Sequence, residues 1–267
     1  DLIVVGGGNF LSPWLDSSKN GTTFDISIDN LKKINVPILF NAVGCEDSLG
    51  YNENTILKIR HFFDYILMKD SNKYFVTVRN DGSYDFIKEV IGKEYADKIY
   101  EIPDNGFFCP TKAKQQNNHA VKTIALSVAA DRLIAKLDKE QYNSFINNMK
   151  DIIMYFANKS YNIKFIPHTY YDLFFLTDLY KVLDDTIIRN NIVVSSLKTN
   201  CTNGEKVIEA YLDCDLAIVM RFHASVSCIL LNMPFIALTL DNRVLELFKN
   251  LNLKNVIDLN LDYRMDS

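Results

Sequence analysis

The sequence predicts an α/β protein built from two doubly wound, Rossmann-like domains that face a cleft. Three observations predict it. Apolar runs of strand length alternate with amphipathic runs of helix length along the whole chain. The strand runs are nearly continuous in Val, Ile and Leu, as burial on both faces requires. The chain has 267 residues, 48% of them hydrophobic, which is enough to bury two cores.

In the first half, the strand LIVV (2–5) meets a glycine turn. A helix follows around 25–35, then strand PILFNAV (37–43), a helix around 53–65, strand KYFVTV (73–78), a helix over 84–91 and a short strand KIYEI. Residues 104–119, DNGFFCPTKAKQQNNH, are polar and broken by Gly106 and Pro110, and read as the link between domains of residues 1–110 and 111–267. The second half repeats the theme with strand TIALSV (123–128), a long helix over 138–159 and strand IKFIP. Next come helix 170–184, strand NIVVSS, helix 204–212, strand DLAIVM, helix 224–231, strand FIALTL, helix 242–250 and strand NVIDL. Residue 1 already lies in a strand pattern, so the numbered chain is expected to begin inside a larger fold, with the first domain short of its opening strand–helix unit.

The net charge of −4 offers no basic footprint for nucleic acid, so no nucleic-acid partner is expected. No apolar run approaches the length of a transmembrane segment. The five cysteines, Cys45, Cys109, Cys201, Cys214 and Cys228, are scattered without metal-ligand spacing. A reducing, cytoplasmic setting and no metal site are the expectations, and a homo-oligomer is compatible with the sequence.

In doubly wound sheets ligands collect beyond the carboxyl ends of the strands, so residues there carry the functional expectation. Gly6, Gly7 and Gly8, with Asn9, follow the first strand, where backbone N–H groups can approach a ligand. The run LSPW that follows breaks the G-x-G-x-x-G dinucleotide pattern, and a tight turn is the alternative. Arg79 stands at a strand tip as a cation that can reach into the cleft, with Ser83 as cap of the next helix; a solvated or paired arginine is the alternative. His168 ends another strand, and Thr169 and Asp172 have capping-box spacing, which makes Asp172 structural.

Arg221 and His223 sit where strand DLAIVM meets the helix of ASVSCILL. A helix start attracts anions, and a guanidinium beside it adds a two-pronged clamp for carboxylate or phosphate. Arg221, Ala224 and Ser225 are therefore expected to bind an anion, with His223 as acid or base. The alternative is that Arg221 pairs with a buried carboxylate and His223 with a loop carbonyl. Asp241 reads as a helix cap, and Arg243 as a second cation for the same anion.

The segments DLIVVGGGNFL, VTVRNDGSYDFI, IPDNG, FIPHTYYDL and DLAIVMRFHASVSCILLNMPFIALTLDNRVLELFKNLNL together resemble the polysaccharide pyruvyl transferases, whose most recognisable signature is R-[LFY]-H-[AS], here Arg221 to Ala224, followed by Pro234. The resemblance implies a two-domain architecture like that of GT-B glycosyltransferases, with acceptor and donor sides. It also implies transfer of pyruvate from phosphoenolpyruvate to a sugar or glycan as a cyclic ketal, without a cofactor. Arg221 would bind the donor, His223 would handle protons, and Arg79 and His168 match positions facing the cleft. Arg243 stands where the family often has Lys. The chain departs from the family in lacking an N-x-G-D type loop before Asp1 and in the turn after the second strand, where Cys45, Glu46 and Asp47 follow Gly44. Two other readings stay open: a nucleotide-sugar glycosyltransferase, and a catalytically silent scaffold of the same fold.

Overall fold

The computed structural model describes residues 1–45, 49–69, 72–111, 122–197 and 204–262, with residues 261 and 262 described by backbone alone. Glu46, Asp47, Cys201 and most of the expected linker lie outside them. The chain divides into two compact units. One comprises Asp1–Asn105 with Leu245–Asn252, and the other Gly106–Val244 with the residues from Leu253 on; the sequence reading set the boundary after residue 110.

In the first unit, strands β1 (Ile3–Gly6), β2 (Asn9–Leu11), β3 (Ile38–Cys45), β4 (Tyr74–Arg79) and β5 (Tyr100–Ile102) form a parallel sheet of order β1-β3-β4-β5, with β2 also on β3. The helices are α1 (Ile28–Lys33), α2 (Glu53–Phe63), α3 (Ser83–Phe86) and α4 (Lys93–Ala96). Two π-helical stretches, Asp64–Lys69 and Ile87–Ile91, extend α2 and α3. Right-handed crossovers that all step the same way across a sheet leave their helices on one face. The core agrees: Ile38, Phe40, Tyr74, Val76 and Val78 alternate inward against Ile59, Phe62, Ile87 and Tyr95. On the other face Phe75 and Tyr100 are 54% and 74% exposed, and they line a groove of about 650 Å³ with Leu2, Leu39 and Thr77. Among the described residues this unit is wound in one direction only, which corrects the doubly wound expectation for it.

The glycine run turns the chain with positive φ, one of the two readings of the sequence, and does so without ending the pairing on β3. Gly7 and Gly8 take φ of 86° and 63°, and β2 then resumes on the same partner, with Gly6 opposite Asn41 and Asn9 opposite Gly44. β3 jogs at the same level, at Ala42 with φ 50°, where the Thr77 hydroxyl accepts from the Ala42 amide at 2.8 Å. The two strands bend together, and glycine supplies the left-handed backbone on one of them.

In the second unit, β6 (Thr123–Ser127), β7 (Asn162–Phe165), β8 (Ile192–Val194), β9 (Leu216–Val219), β10 (Phe235–Thr239) and β11 (Val256–Asp258) form a parallel sheet of order β11-β10-β9-β6-β7-β8. Renumbered from β6, this is the Rossmann order 3-2-1-4-5-6. Helices α5 (Ala130–Lys136), α6 (Lys139–Ala157), α7 (Tyr171–Val182) and α8 (Asp185–Asn191) precede the switch back to β9, and α9 (Glu205–Glu209), α10 (Phe222–Leu230), α11 (Asn242–Asn250) and α12 (Leu259–Asp262) follow β8. Leu133, Phe145, Met149, Phe175 and Leu179 pack on Ile124, Leu126, Phe165 and Ile218. Alternate positions Ala125, Ala217 and Val219 are buried too, as are Ile208, Ala224 and Val226 from α9 and α10. This sheet is covered on both faces, as its near-continuous apolar strands demand. The long helix α6 starts on the capping box of Asp138 and Gln141.

Candidate functional site

The winding of the second sheet reverses between β6 and β9, the place where ligands collect in such folds. Arg221 follows β9 there as the N-cap of α10, with extended backbone (φ −88°, ψ 145°). Its Nη2 donates to Asp172 Oδ1 and Asp131 Oδ1, each at 2.5 Å, and to Thr169 Oγ1 at 3.0 Å, while Nε donates to Asp172 Oδ2 at 3.2 Å. The paired-arginine alternative is therefore the one observed. Asp172 is 0% exposed, a position a carboxylate holds only when fully hydrogen-bonded. It also accepts from the amides of His168 (2.8 Å), Thr169 (3.0 Å) and Ala130 (3.3 Å). Burial works against the charge of Arg221, but Asp172 and Asp131 outweigh it and raise the pKa. Since Asp131 follows β6 and Thr169 follows β7, one arginine ties the carboxyl ends of three neighbouring strands.

Thr169 and Asp172 form only half of a capping box. The carboxylate reaches back to the Thr169 amide, whereas the hydroxyl accepts from Arg221. The helix α10 also starts two residues earlier than the sequence pattern suggested. As a result Ser225 is not in the anion-facing first turn: its amide makes a helical bond to Arg221 O at 3.0 Å, its hydroxyl turns to the same carbonyl, and both Ala224 and Ser225 are 0% exposed. His223 lies in the first turn and is exposed.

Toward β10 the charges continue. Asp131 and Asp241 flank Arg132 Nε at 3.7 and 3.9 Å. Asp241 caps α11 through the Arg243 amide (3.1 Å) and takes the Arg243 guanidinium in a fork. That carboxylate answers the cost of a cation in the first turn of a helix. Burial pushes the Asp241 carboxyl up, and Arg243 and Arg132 more than offset it, leaving it below the ordinary range. Arg243 is buried.

On the other side of Arg221, His168 Nε2 stands 2.7 Å from the Tyr211 hydroxyl. Burial first, then the charge of Arg221, push the His168 pKa down to about 4 against the opposing pull of Asp172, with His223 adding slightly to the shift. His168 is therefore a neutral imidazole at physiological pH.

In the first unit Arg79 does not reach out from its strand tip: it is 0% exposed, and the paired alternative is the one observed. Its Nε donates to Asp81 Oδ2 at 2.5 Å and its Nη2 to Asn9 Oδ1 at 2.7 Å, and Asp104 lies 3.5 Å from Nη1. Ser83 does not cap α3, whose N-cap is Gly82; its hydroxyl donates to Asp81 Oδ1 and accepts from the Cys45 amide at 2.7 Å. A Cβ on Gly44 would fall 2.6 Å from Arg79 Nε, so the missing side chain makes the room for the guanidinium. Gly6, Gly7, Gly8 and Asn9 all belong to this unit, with Asn9 a support of Arg79.

Thus the structure gathers Arg221 and His168 into one cluster in which His223 is felt electrostatically, and places Arg243 two carboxylates away along the same edge. Asp131 and Tyr211 escaped the sequence reading, which took Thr169 and Asp172 only for a helix cap. Asp131 carries a usable signal, a carboxylate four residues past an apolar strand, in the first turn of the next helix. Tyr211, in YLDCD, reads as ordinary core. Among the described residues no group of three or more His, Cys, Asp or Glu side chains is placed to hold a metal ion, and no helix is long and apolar enough to cross a membrane.

A solved structure described as accessory secretory protein 1, 2 and 3 of Streptococcus pneumoniae is similar to 91% of this chain at 12% identity and a TM-score of 0.46, over 41% of its own length. Among curated proteins, none matches the chain. The family model for polysaccharide pyruvyl transferase matches residues 1–242, a span that includes the β6, β7 and β9 strand ends and the whole Arg221 cluster. By that match the chain belongs to the polysaccharide pyruvyl transferase family.

Proposed function

We propose that the protein transfers pyruvate from phosphoenolpyruvate to two hydroxyls of a sugar or glycan precursor, forming a cyclic ketal. The observation that carries this reading is the state of Arg221 at the switch point. Asp172, Asp131 and Thr169 engage Nε and Nη2, so the guanidinium is held rigid while its Nη1 remains to meet an anion. A pre-set cation at a carboxyl strand edge suits a donor that carries both carboxylate and phosphate.

In the reaction a proton is added to the donor methylene, and one sugar hydroxyl attacks the adjacent carbon. The carbon–oxygen bond to phosphate breaks, and the second hydroxyl closes the ring. The two hydroxyl protons balance the one taken up by carbon and the one that leaves with phosphate. His223 and His168 are the proton-handling groups, and Arg221 steadies the anion, with Arg243 as a support rather than a direct ligand. No cofactor is called for besides the co-substrate. The five cysteines, scattered through the sequence without paired spacing, support a reducing, cytoplasmic setting.

The test combines thermal unfolding with turnover. Phosphoenolpyruvate at about 100 times its dissociation constant should stabilise the protein by roughly 2.7 kcal/mol. Incubation with sugar acceptors should then release phosphate as the acceptor gains its ketal. Stabilisation by a nucleotide diphosphate sugar instead would replace this reading with glycosyl transfer, and stabilisation by neither, with no turnover, would leave a silent scaffold.

A further inference from the structure

Tyr211 has no part in the reading above, yet its hydroxyl stands in hydrogen-bond contact with a ring nitrogen of His168, at 2.7 Å. It is 0% exposed and follows α9, while His168 follows β7, 43 residues earlier. Ser127, the last residue of β6, is also 0% exposed. Its Oγ makes no hydrogen bond of ordinary geometry, but it lies close enough to the phenol to oppose the rise of its pKa. Two arrangements are open to His168 and Tyr211, one with the phenol as donor and one with the ring as donor, and they differ in which nitrogen of His168 carries the proton.

We propose that Tyr211 is a positioning residue whose hydroxyl donates to His168 Nε2 and holds the ring as its Nδ1–H tautomer. In that arrangement the phenol hydrogen has His168 Nε2 as its acceptor at 2.7 Å. In the opposite arrangement Nε2–H would donate to the phenol, and the hydrogen of the fully buried phenol would be a donor with no acceptor at hydrogen-bond distance among the described residues. A buried donor without an acceptor costs about 1–3 kcal/mol, whereas an unused lone pair costs much less.

The charge state supports the same picture. Burial pushes the Tyr211 pKa well above 10, so the phenol keeps its proton. The imidazole stays neutral because its desolvation and the nearby Arg221 and His223 outweigh Asp172. For catalysis the consequence rests on the pyruvyl-transfer reading: His168 offers a proton donor at Nδ1 to developing negative charge, and the base that receives a hydroxyl proton is the other histidine, His223.

The test needs no substrate. The chain has four histidines, so long-range nitrogen–proton spectra of the ¹⁵N-labelled full chain at pH 7 resolve each ring, and the His168 pattern is the one that His168→Gln removes. Expected is a protonated Nδ1 with a hydrogen-bonded, unprotonated Nε2, moving toward the Nε2–H form in Tyr211→Phe. An Nε2–H pattern in the unmodified protein overturns the proposal, and an unchanged pattern in a folded Tyr211→Phe overturns the role of Tyr211. The unmodified spectrum decides the tautomer even where the variant does not fold. Failure of phosphoenolpyruvate turnover, by contrast, would leave the spectrum as it is and count only against the reaction.

Discussion

Arg79 and Arg221 occupy like places in two parallel sheets: one is the last residue of β4, the other stands two residues past the end of β9, and each is held by aspartates. They differ in closure. Arg79 has a side chain 1% exposed, enclosed by Asp81, Asn9, Asp104 and the bare backbone of Gly44, whereas the Arg221 side chain keeps 15%. A strand-end arginine is thus no site by itself. It becomes one when its partners fix the fork and leave part of it facing outward. The sheets differ in the same way, since the Rossmann order of the second creates a switch point at Arg221, and the one-way order of the first creates none among the described residues.

The largest test of the contrast is Arg79→Met. Removing one partner of a buried pair leaves an uncompensated carboxylate and costs about 3–5 kcal/mol. The single tryptophan, Trp14, lies in the first unit, so urea unfolding followed by its fluorescence reads the loss where it occurs. Phosphoenolpyruvate should still stabilise whatever fraction folds. A variant of normal stability that no longer responds to the donor would reverse the roles of the two arginines.

Next in size is a pH effect that belongs to the second unit. His168 titrates near pH 4 in the folded protein and near 6.5 when unfolded. The unfolded chain therefore takes up the proton first as pH falls, so stability is full above about pH 6.5 and declines toward pH 4. By pH 4.5 the loss is at most roughly 2–3 kcal/mol. Urea midpoints at pH 7 and 4.5, followed by far-ultraviolet circular dichroism, should show this fall in the parent and a smaller one in His168→Gln. Equal falls in both would mean that His168 is not the neutral group described.

Arg221→Lys should cost less, about 2 kcal/mol, because the charge stays but the forked hydrogen bonds to Asp172 are lost. It should also abolish stabilisation by phosphoenolpyruvate. From the sequence, donor binding and folding look separable at this residue. The buried carboxylate of Asp172 couples them, so the variant must be compared at matched distance below its own melting temperature. Donor stabilisation equal to that of the parent would remove Arg221 from the site.

Much of this was legible in the residues. Alternating apolar and amphipathic runs located all the strands of the second sheet, and RFH after DLAIVM marked the edge that matters. The partners were not legible, because Arg221 meets Asp131 across 90 residues and Asp172 across 49, and no local pattern records such a meeting. The helix α5 was missed for a related reason: SVAADRLIAK passes from strand to helix with no Gly, Pro or side-chain cap to mark the change. RNDGS misled in the other direction. It looks like a site motif, but Arg79 and Ser83 converge on the single carboxylate of Asp81 between them, and closing a turn around a buried charge needs the same residues as binding a ligand.

The glycine run provides the smallest and most discriminating test. If Gly6 to Gly8 cradled a ligand, a methyl group at Gly7 would disturb binding. The structure assigns Gly7 a different task, since its φ of 86° carries the chain from β1 to β2, and an added Cβ would meet nothing within 4 Å. Gly7→Ala should therefore cost only the strain of a left-handed alanine, about 1 kcal/mol. That loss should appear in the Trp14 transition, with phosphoenolpyruvate stabilising the variant as strongly as the parent. A variant of parental stability whose donor response is weakened would instead make the glycine run part of the binding surface, and the first sheet would regain the role that its sealed arginine denies it.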